Sequence, residues 1–373
     1  MGDDDTVYRY RVRLDRPHIR RRRDLRTAGS YLRGQRNTGS HPHRRRRRRR
    51  AGHRGLAAAE FDDVHVVAEA DIDVAGATVQ VVPDNFSCAA VRKGRALEWA
   101  HQTLTNDREF VLYLDEDSHL ESFEGLPDAD IVQFREQPRR TDSVLSYLAD
   151  VYRMGVQIEQ RAFARLSIPL FAWGGGIAVK QTVEDEVTWD RETIVEDTAF
   201  VWAAAQKLED FSFELATATC RNEAPPSLTE ITQQRRRWSA GNIEAASALP
   251  FGYQVLTRVR NYAWALSPIV TLIVVPLALL GIGVGAGGLF AAASFSLGLL
   301  TLFWYLRGVQ YYGVDSIGWA LPLPLAPLVI IIHSMGTVAG ILNPPTSFRV
   351  KKSREHVRQH QNHRDTPTLW HPV

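Results

Sequence analysis

The apolar positions divide the chain into stretches of different character. From Phe61 to about Leu166 they come in short runs separated by polar turns. Val64-His65-Val66-Val67 and Thr78-Val79-Gln80-Val81-Val82-Pro83 have the β-branched content of strands. Val91 to Leu104 reads as a helix with Leu97 and Ala100 on one side. Phe110-Val111-Leu112-Tyr113-Leu114 is an unbroken run of buried-strand length that ends in three acids, and Asp130 to Phe134 is a fourth strand segment. Ser143 to Leu166 reads as helix. Strands and helices alternating at this spacing predict a layered α/β domain. Farther on, Ser227-Leu228-Thr229-Glu230 follows Pro225-Pro226 and fits a capping box, so a helix is expected from about Leu228 to Ala246.

Beyond Arg260 the pattern changes to long uncharged runs. Trp264 to Ile282, Leu289 to Leu306 and Trp319 to Leu342 carry no Asp, Glu, Lys or Arg. Each is about long enough to cross a ~30 Å hydrocarbon layer as a helix, and their Gly and Pro content is tolerated there. Trp264, Trp304, Tyr305 and Trp319 lie near the ends of these runs, where interfacial aromatic belts are expected. Three crossings would put Arg349, Lys351, Lys352 and Arg354 on the outer side, against the positive-inside tendency. Either the Pro-rich part from Leu321 to Pro327 is re-entrant or the crossings number other than three. His333, inside the third run, reads as a packing residue rather than a ligand.

Charge sets the N-terminal part apart. Residues 1–55 hold 19 Arg, no Lys and 5 Asp, including the run Arg44 to Arg50. The formal net charge of +3 is therefore +14 on residues 1–55 and −11 on the remainder. The basic balance belongs to this arm, so no specific nucleic-acid partner is expected for the body. The arm shows no helix or strand period and is expected to be disordered. Arg-rich, Lys-free text that changes abruptly near Leu56 is also what a GC-rich gene read in another frame produces. A basic arm for RNA or anionic lipid and an inert tail are the other readings. No apolar signal-peptide core follows Met1. Two cysteines, Cys88 and Cys220, exclude a disulfide-dense scaffold and a four-cysteine zinc site.

Three clusters carry candidate chemistry. Asp115-Glu116-Asp117 directly follows the apolar strand, and acids at the carboxyl end of a strand face the crevice where open α/β sheets bind ligands. Two such carboxylates can hold a hard divalent cation that also grips a diphosphate, although acidic turns after strands are common. Glu196-Asp197 is either a pair complementing a helix dipole or a carboxylate positioned as a general base. Gln234, Arg237 and Trp238 share one face of the capped helix at i,i+3 and i,i+4 spacing. An amide, a guanidinium and an indole together suit phosphate and sugar binding. Arg235 and Arg236 also fit a basic juxtamembrane helix on anionic lipid.

Taken together, the order D-x-D, then an acid pair, then Q-x-x-R-W before membrane spans resembles the processive-type family 2 glycosyltransferases. Lys93-Gly94-Arg95-Ala96-Leu97, Tyr113 to Ser118, Val187-Thr188-Trp189-Asp190, Ile194 to Asp197 and Gln234 to Trp238 resemble most closely its egghead-type, β-mannosyltransferase-like branch. The resemblance covers about residues 62–245. It implies a GT-A domain, a Rossmann-like mixed sheet, acting on a GDP- or UDP-sugar with Mg²⁺ or Mn²⁺. By position, Asp115 and Asp117 would bind the metal, and Lys93, Arg95, Asp115 and Arg237 the donor. Asp197, with Glu196, would be catalytic. Gln234, Trp238, Trp189 and Asp190 would bind a lipid-linked or glycan acceptor, and Gly174-Gly175-Gly176 would let it approach. The family's first strand should precede Val64 by some thirty residues, where arginines stand instead.

The expected organisation is an Arg-rich segment 1–55, a GT-A domain 56–248, a membrane region 249–345 and a polar tail 346–373. The expected function is an inverting, metal-dependent hexosyl transfer by a multi-pass membrane protein whose catalytic domain faces the cytoplasm. The rival from another class is a catalytically silent, transferase-like membrane module.

Overall fold

In the computed structural model, the residues described are 10–12, 64–69, 78–104, 108–115, 117–121, 123, 125–282, 288–312 and 323–345. The frame of the domain is a mixed sheet of five strands. These are β4 (Phe110–Tyr113), β5 (His119–Leu120), β6 (Ile131–Glu136), β7 (Ile177–Lys180) and β8 (Phe213–Arg221), in the order β4-β7-β6-β8-β5. β6 and β8 are parallel, and every other pairing is antiparallel. Alternate residues feed two cores, as a two-residue period dictates. Leu112, Leu114, Val132, Phe134 and Ala178 pack on one face. Val111, Tyr113, Ile131, Ile177 and Val179 pack on the other, against Trp189, Phe200 and Val201.

A second sheet has the order β1-β2-β3, with β1 (Tyr10–Val12) antiparallel to β2 (Val64–Ala68) and β2 parallel to β3 (Thr78–Val81). β1 corrects the expectation that residues 1–55 hold no strand. Tyr8-Arg9-Tyr10-Arg11-Val12 alternates with a two-residue period that the arginine content hides. β1 also lies alongside β4, so this arginine-bearing strand joins the two sheets. The remaining expectations for residues 1–55, and for the tail 346–373, lie outside the described residues.

Five helices belong to the sheet layers: α1 (Lys93–Thr103), α2 (Val144–Gly155), α3 (Gln157–Phe163), α4 (Gln181–Glu186) and α5 (Glu196–Lys207). The helix expected over 143–166 is broken at Val156, between α2 and α3. α6 (Leu228–Ala245) starts where the capping pattern placed it, with Ser227 Oγ accepting the Glu230 N–H at 3.2 Å.

Three apolar helices follow: α7 (Phe251–Leu279), α8 (Gly288–Tyr311) and α9 (Ala326–Leu342). Among the described residues, α8 is the one helix long and apolar enough to cross a membrane, and α9 is shorter. The 24 residues of α8 span about 36 Å at 1.5 Å per residue. Leu266, Ile273, Leu279, Phe295, Leu299 and Phe303 remain exposed on α7 and α8. The inner faces pack on the domain itself: Tyr305, Val309, Val329, Ile330 and Ile332 form one core with Tyr152 of α2 and Ile231 of α6. Glycines make these contacts close. A Cβ on Gly308 of α8 would strike the Val151 carbonyl of α2, and one on Gly336 of α9 would come within 2.6 Å of the Thr232 carbonyl of α6. Trp264 and Trp304 stack at 5.2 Å, joining α7 to α8, and Tyr305 is buried; Trp319 lies outside the described residues.

Candidate active site

Three chain segments from different layers meet at one ammonium. Lys93 opens α1, Asp115 follows β4, and Glu196-Asp197 open α5. Lys93 Nζ lies 2.8 Å from Asp115 Oδ1, 3.1 Å from Glu196 Oε1 and 2.9 Å from Asp197 Oδ2. An ammonium has three N–H donors, and here each has a carboxylate. Burial alone would lower the Lys93 pKa, but Asp115, Asp197 and Glu196 hold it well above the ordinary value. Three carboxylates around one ammonium leave negative charge in excess. Burial, with repulsion from Glu196 and Asp115 and against the pull of Lys93, pushes Asp197 up to about 7. Burial likewise pushes Asp117 up to about 7, with Asp115, Glu223 and Glu136 adding repulsion and the Glu223 N–H, at 3.2 Å, opposing it.

The loop 172–176 closes over this cluster. A Cβ on Gly174 would strike Lys93 Nζ and come within 2.6 Å of Asp197 Oδ2 and 3.0 Å of Asp115 Oδ1, so only glycine fits without displacing them. Two residues with no obvious sequence signal hold the loop. The buried Gln133 of β6 donates to the Trp173 carbonyl at 2.9 Å and the Gly176 carbonyl at 2.6 Å, and accepts the Trp173 N–H at 3.1 Å. Thr198 Oγ1 donates to the Ala172 carbonyl at 2.9 Å and accepts its N–H at 3.2 Å.

α6 forms the opposite wall. A cavity of about 370 Å³ is lined by Lys93, Asp115, Asp117, Glu196 and Asp197 on one side and by Gln234, Arg237 and Trp238 on the other. Eight of the sequence-predicted site residues therefore share one space. Arg237 Nε and Trp173 Nε1 are buried donors without a hydrogen-bond partner in it. Burial lowers the Arg237 pKa, against the attraction of Glu196. Trp264 of α7, His333 and Thr337 of α9, and Glu136, Arg153 and Arg235 also line the cavity.

Three expected site residues stand elsewhere. Arg95 lies outside the cavity and clamps the loop before α1, donating to the Pro83 carbonyl at 2.7 Å, the Phe86 carbonyl at 3.0 Å and Glu69 at 2.8 Å. Trp189 is a core residue, stacked on Phe200 at 4.0 Å and donating to the buried Glu184 at 2.7 Å. Asp190 accepts the N–H groups of Ala89 at 2.5 Å and Ala90 at 3.0 Å, and so fixes the approach to Arg92 and Lys93. Arg235, for which a lipid-facing helix was the alternative reading, is buried against Asp150. Glu69, just after β2, is engaged by Arg95.

The family model for "Glycosyl transferase family group 2" matches residues 110–330, more than half of the chain. The chain belongs to the family 2 glycosyltransferases. The chain is also similar to two curated proteins. The chain is 24% identical over 217 residues to β-1,4-mannosyltransferase egh of Drosophila melanogaster, covering 51% of this chain and 46% of that protein. It is 27% identical over 136 residues to β-1,4-mannosyltransferase bre-3 of Caenorhabditis elegans, covering 34% of this chain and 30% of that protein. The match thus spans less than half the length of either relative.

As in the expectation for a family 2 glycosyltransferase, the carboxylates that could hold a divalent cation are Asp115 and Asp117, at the carboxyl end of β4. Among the described residues no group of three or more His, Cys, Asp or Glu side chains converges on a ready-made cage. Two hard oxygen donors suit an ion that completes its shell with phosphate and water.

Proposed function

We propose that this chain transfers a hexose, with inversion, from a nucleotide-diphospho-sugar to an acceptor hydroxyl presented from the membrane side. The observation that carries the reading is the cluster of Asp115, Glu196 and Asp197 around Lys93, facing Arg237 and Trp238 across one cavity. Asp197 is the base: its carboxylate takes the proton of the acceptor hydroxyl as that oxygen bonds to the anomeric carbon. The bond from that carbon to the diphosphate breaks, and its electron pair leaves with the nucleotide diphosphate. Arg237, whose buried Nε has no internal partner, grips the diphosphate. Lys93 and Glu196 keep Asp197 in place. Trp238 offers a flat apolar face to the acceptor sugar, with Gln234 beside it. Asp115 and Asp117 would hold a Mg²⁺ or Mn²⁺ ion, which supplies charge neutralisation to the departing nucleotide diphosphate.

A lipid-linked acceptor is favoured over a soluble glycan because the cavity is lined partly by Trp264, His333 and Thr337 of the apolar helices. Those helices leave large hydrophobic side chains exposed, as a membrane anchor would. The catalytic domain then sits at the cytoplasmic face. The names of the relatives put mannose first among the sugars to try.

The test is release of nucleotide diphosphate by membranes carrying the chain, supplied with GDP- and UDP-hexoses and with Mg²⁺ or Mn²⁺. Asp197→Asn is expected to lower transfer by about 10²–10⁴-fold with donor binding retained. Absence of metal-dependent, Asp197-dependent release from every donor would leave the silent-module reading standing.

A further inference from the structure

Along the same cavity, a chain of buried charges runs from the sheet to α9; Glu136, Arg153, Arg235 and His333 are part of its lining, and the chemistry above gives none of them a step. Glu136 ends β6. Its carboxylate accepts from Asn222 and, at 2.5 Å, from Arg153 Nη1. Arg153 Nε donates to Asp150 Oδ1 at 2.9 Å, one turn back on α2. The same Asp150 oxygen accepts from Arg235 Nη2 of α6, and Arg235 Nε donates to His333 Nδ1 of α9 at 3.4 Å. Asp150 is 1% exposed and Arg235 2%. The point of convergence is an indole. The Arg235 guanidinium carbon lies 4.3 Å from the centre of the Trp238 ring and that of Arg153 lies 5.3 Å from it. Both distances are within cation–π reach.

We propose that Asp150 is the positioning residue of the acceptor platform: by holding Arg153 and Arg235 through one oxygen, it fixes the Trp238 ring in the cavity. The physical argument has two parts. Two guanidiniums beside one ring repel each other, and a single carboxylate between them removes that repulsion while setting their spacing. Burying four charges costs desolvation that the pairing only about recovers, so such a cluster adds little stability over apolar residues of the same volume. What it supplies is a defined geometry, and the geometry it defines is that of Trp238. Arg235 stands three residues before Trp238 on the same helix, so the anchor acts at the shortest lever arm along α6. The role assigned to Trp238 rests on the glycosyl-transfer reading; its immobilisation by Asp150 does not.

The experiment has two readouts on the full chain in detergent. In the first, fluorotryptophan is incorporated and the Trp238 fluorine resonance is assigned with Trp238→Phe. Asp150→Asn, which keeps the side-chain volume, is expected to shift or broaden that resonance while the other tryptophan signals stay. In the second, membranes are given radiolabelled GDP-mannose, or the hexose donor identified by the panel above. Label entering membrane product is compared with label released as free sugar. Asp150→Asn is expected to lower product formation about tenfold or more relative to hydrolysis, with the donor KM within about twofold. Arg153→Gln, which leaves the Asp150–Arg235 pair in place, serves if Asp150→Asn does not fold. An unchanged Trp238 resonance, or product and hydrolysis falling in parallel, overturns the proposal. A chain that neither transfers nor hydrolyses any donor refutes the catalytic reading instead, and the resonance still decides the place of Asp150.

Discussion

Asp117 keeps its proton up to about pH 7 because burial and the neighbouring carboxylates disfavour its charged form. A proton there competes with a cation, so the sign is fixed: affinity for Mg²⁺ or Mn²⁺ weakens as the pH falls below 7. Transfer also falls there because Asp197 is held up to about 7, so the readout is the metal affinity itself, which should drop about tenfold per pH unit in that range. In Asp117→Asn this slope should flatten, at weaker metal affinity overall; metal titrations at several pH values check it. Gly174 offers a second residue-level test. Gly174→Ala places a methyl group on Lys93 Nζ and Asp197 Oδ2. The lysine end can swing away, so stability should change by less than about 1 kcal/mol while activity falls about tenfold or more; melting and rate measured together separate the two effects. At this scale, type and spacing singled out Asp115, Asp197, Arg237 and Trp238, the family resemblance added Lys93, and all five line one cavity. The sequence did not disclose which way Trp189 and Asp190 turn, because adjacent residues in a loop follow no period. Gln133 and Thr198 were hidden for another reason: they act on backbone groups of loop 172–176, and only the fold reveals what lies opposite them.

Elements were legible where periodicity and capping agreed. Phe110–Tyr113 and Leu228–Ala245 lie within a residue of their expected bounds, because an apolar run before acids and a capped start are local signals. β8 was not foreseen. Its sequence, FELATATCR, is built from small and polar residues, and burial by neighbouring strands rather than intrinsic preference makes it a strand. The break at Val156 was equally hidden, since both α2 and α3 carry helix-forming residues. The contact between α9 and α6 gives the test at this scale. Gly336 and Gly340 admit the Thr232 and Arg236 backbone and the Arg235 and Ser239 side chains. Gly336→Leu should wedge the two helices apart and destabilise the fold by about 1–3 kcal/mol, read as a lower melting temperature of the protein in detergent.

For the whole molecule, hydropathy announced apolar helices but could not say what they lean on. α9 lies on α6 and α2 of the catalytic domain, and the Arg236 guanidinium donates to the Asn343 carbonyl at 2.7 Å, just past the end of α9. The end of α9 is thus held beside a domain helix, and the cytoplasmic placement proposed for that domain would put Asn343 on the same side. Asn343→Cys should therefore resist a membrane-impermeant maleimide added to intact cells and react once the membrane is opened; labelling of intact cells would place this end outside.

At Gly308, Gly336 and Gly340 the apolar helices meet the backbones of the helices that carry Asp150 and Trp238, with the core of Tyr152, Ile231, Tyr305 and Ile330 packed around these contacts. Contacts this close would pass a tilt of α8 or α9 to the wall that carries Trp238. In the proposed membrane-anchored reading, the thickness of the surrounding lipid would then bear on the width of the cavity.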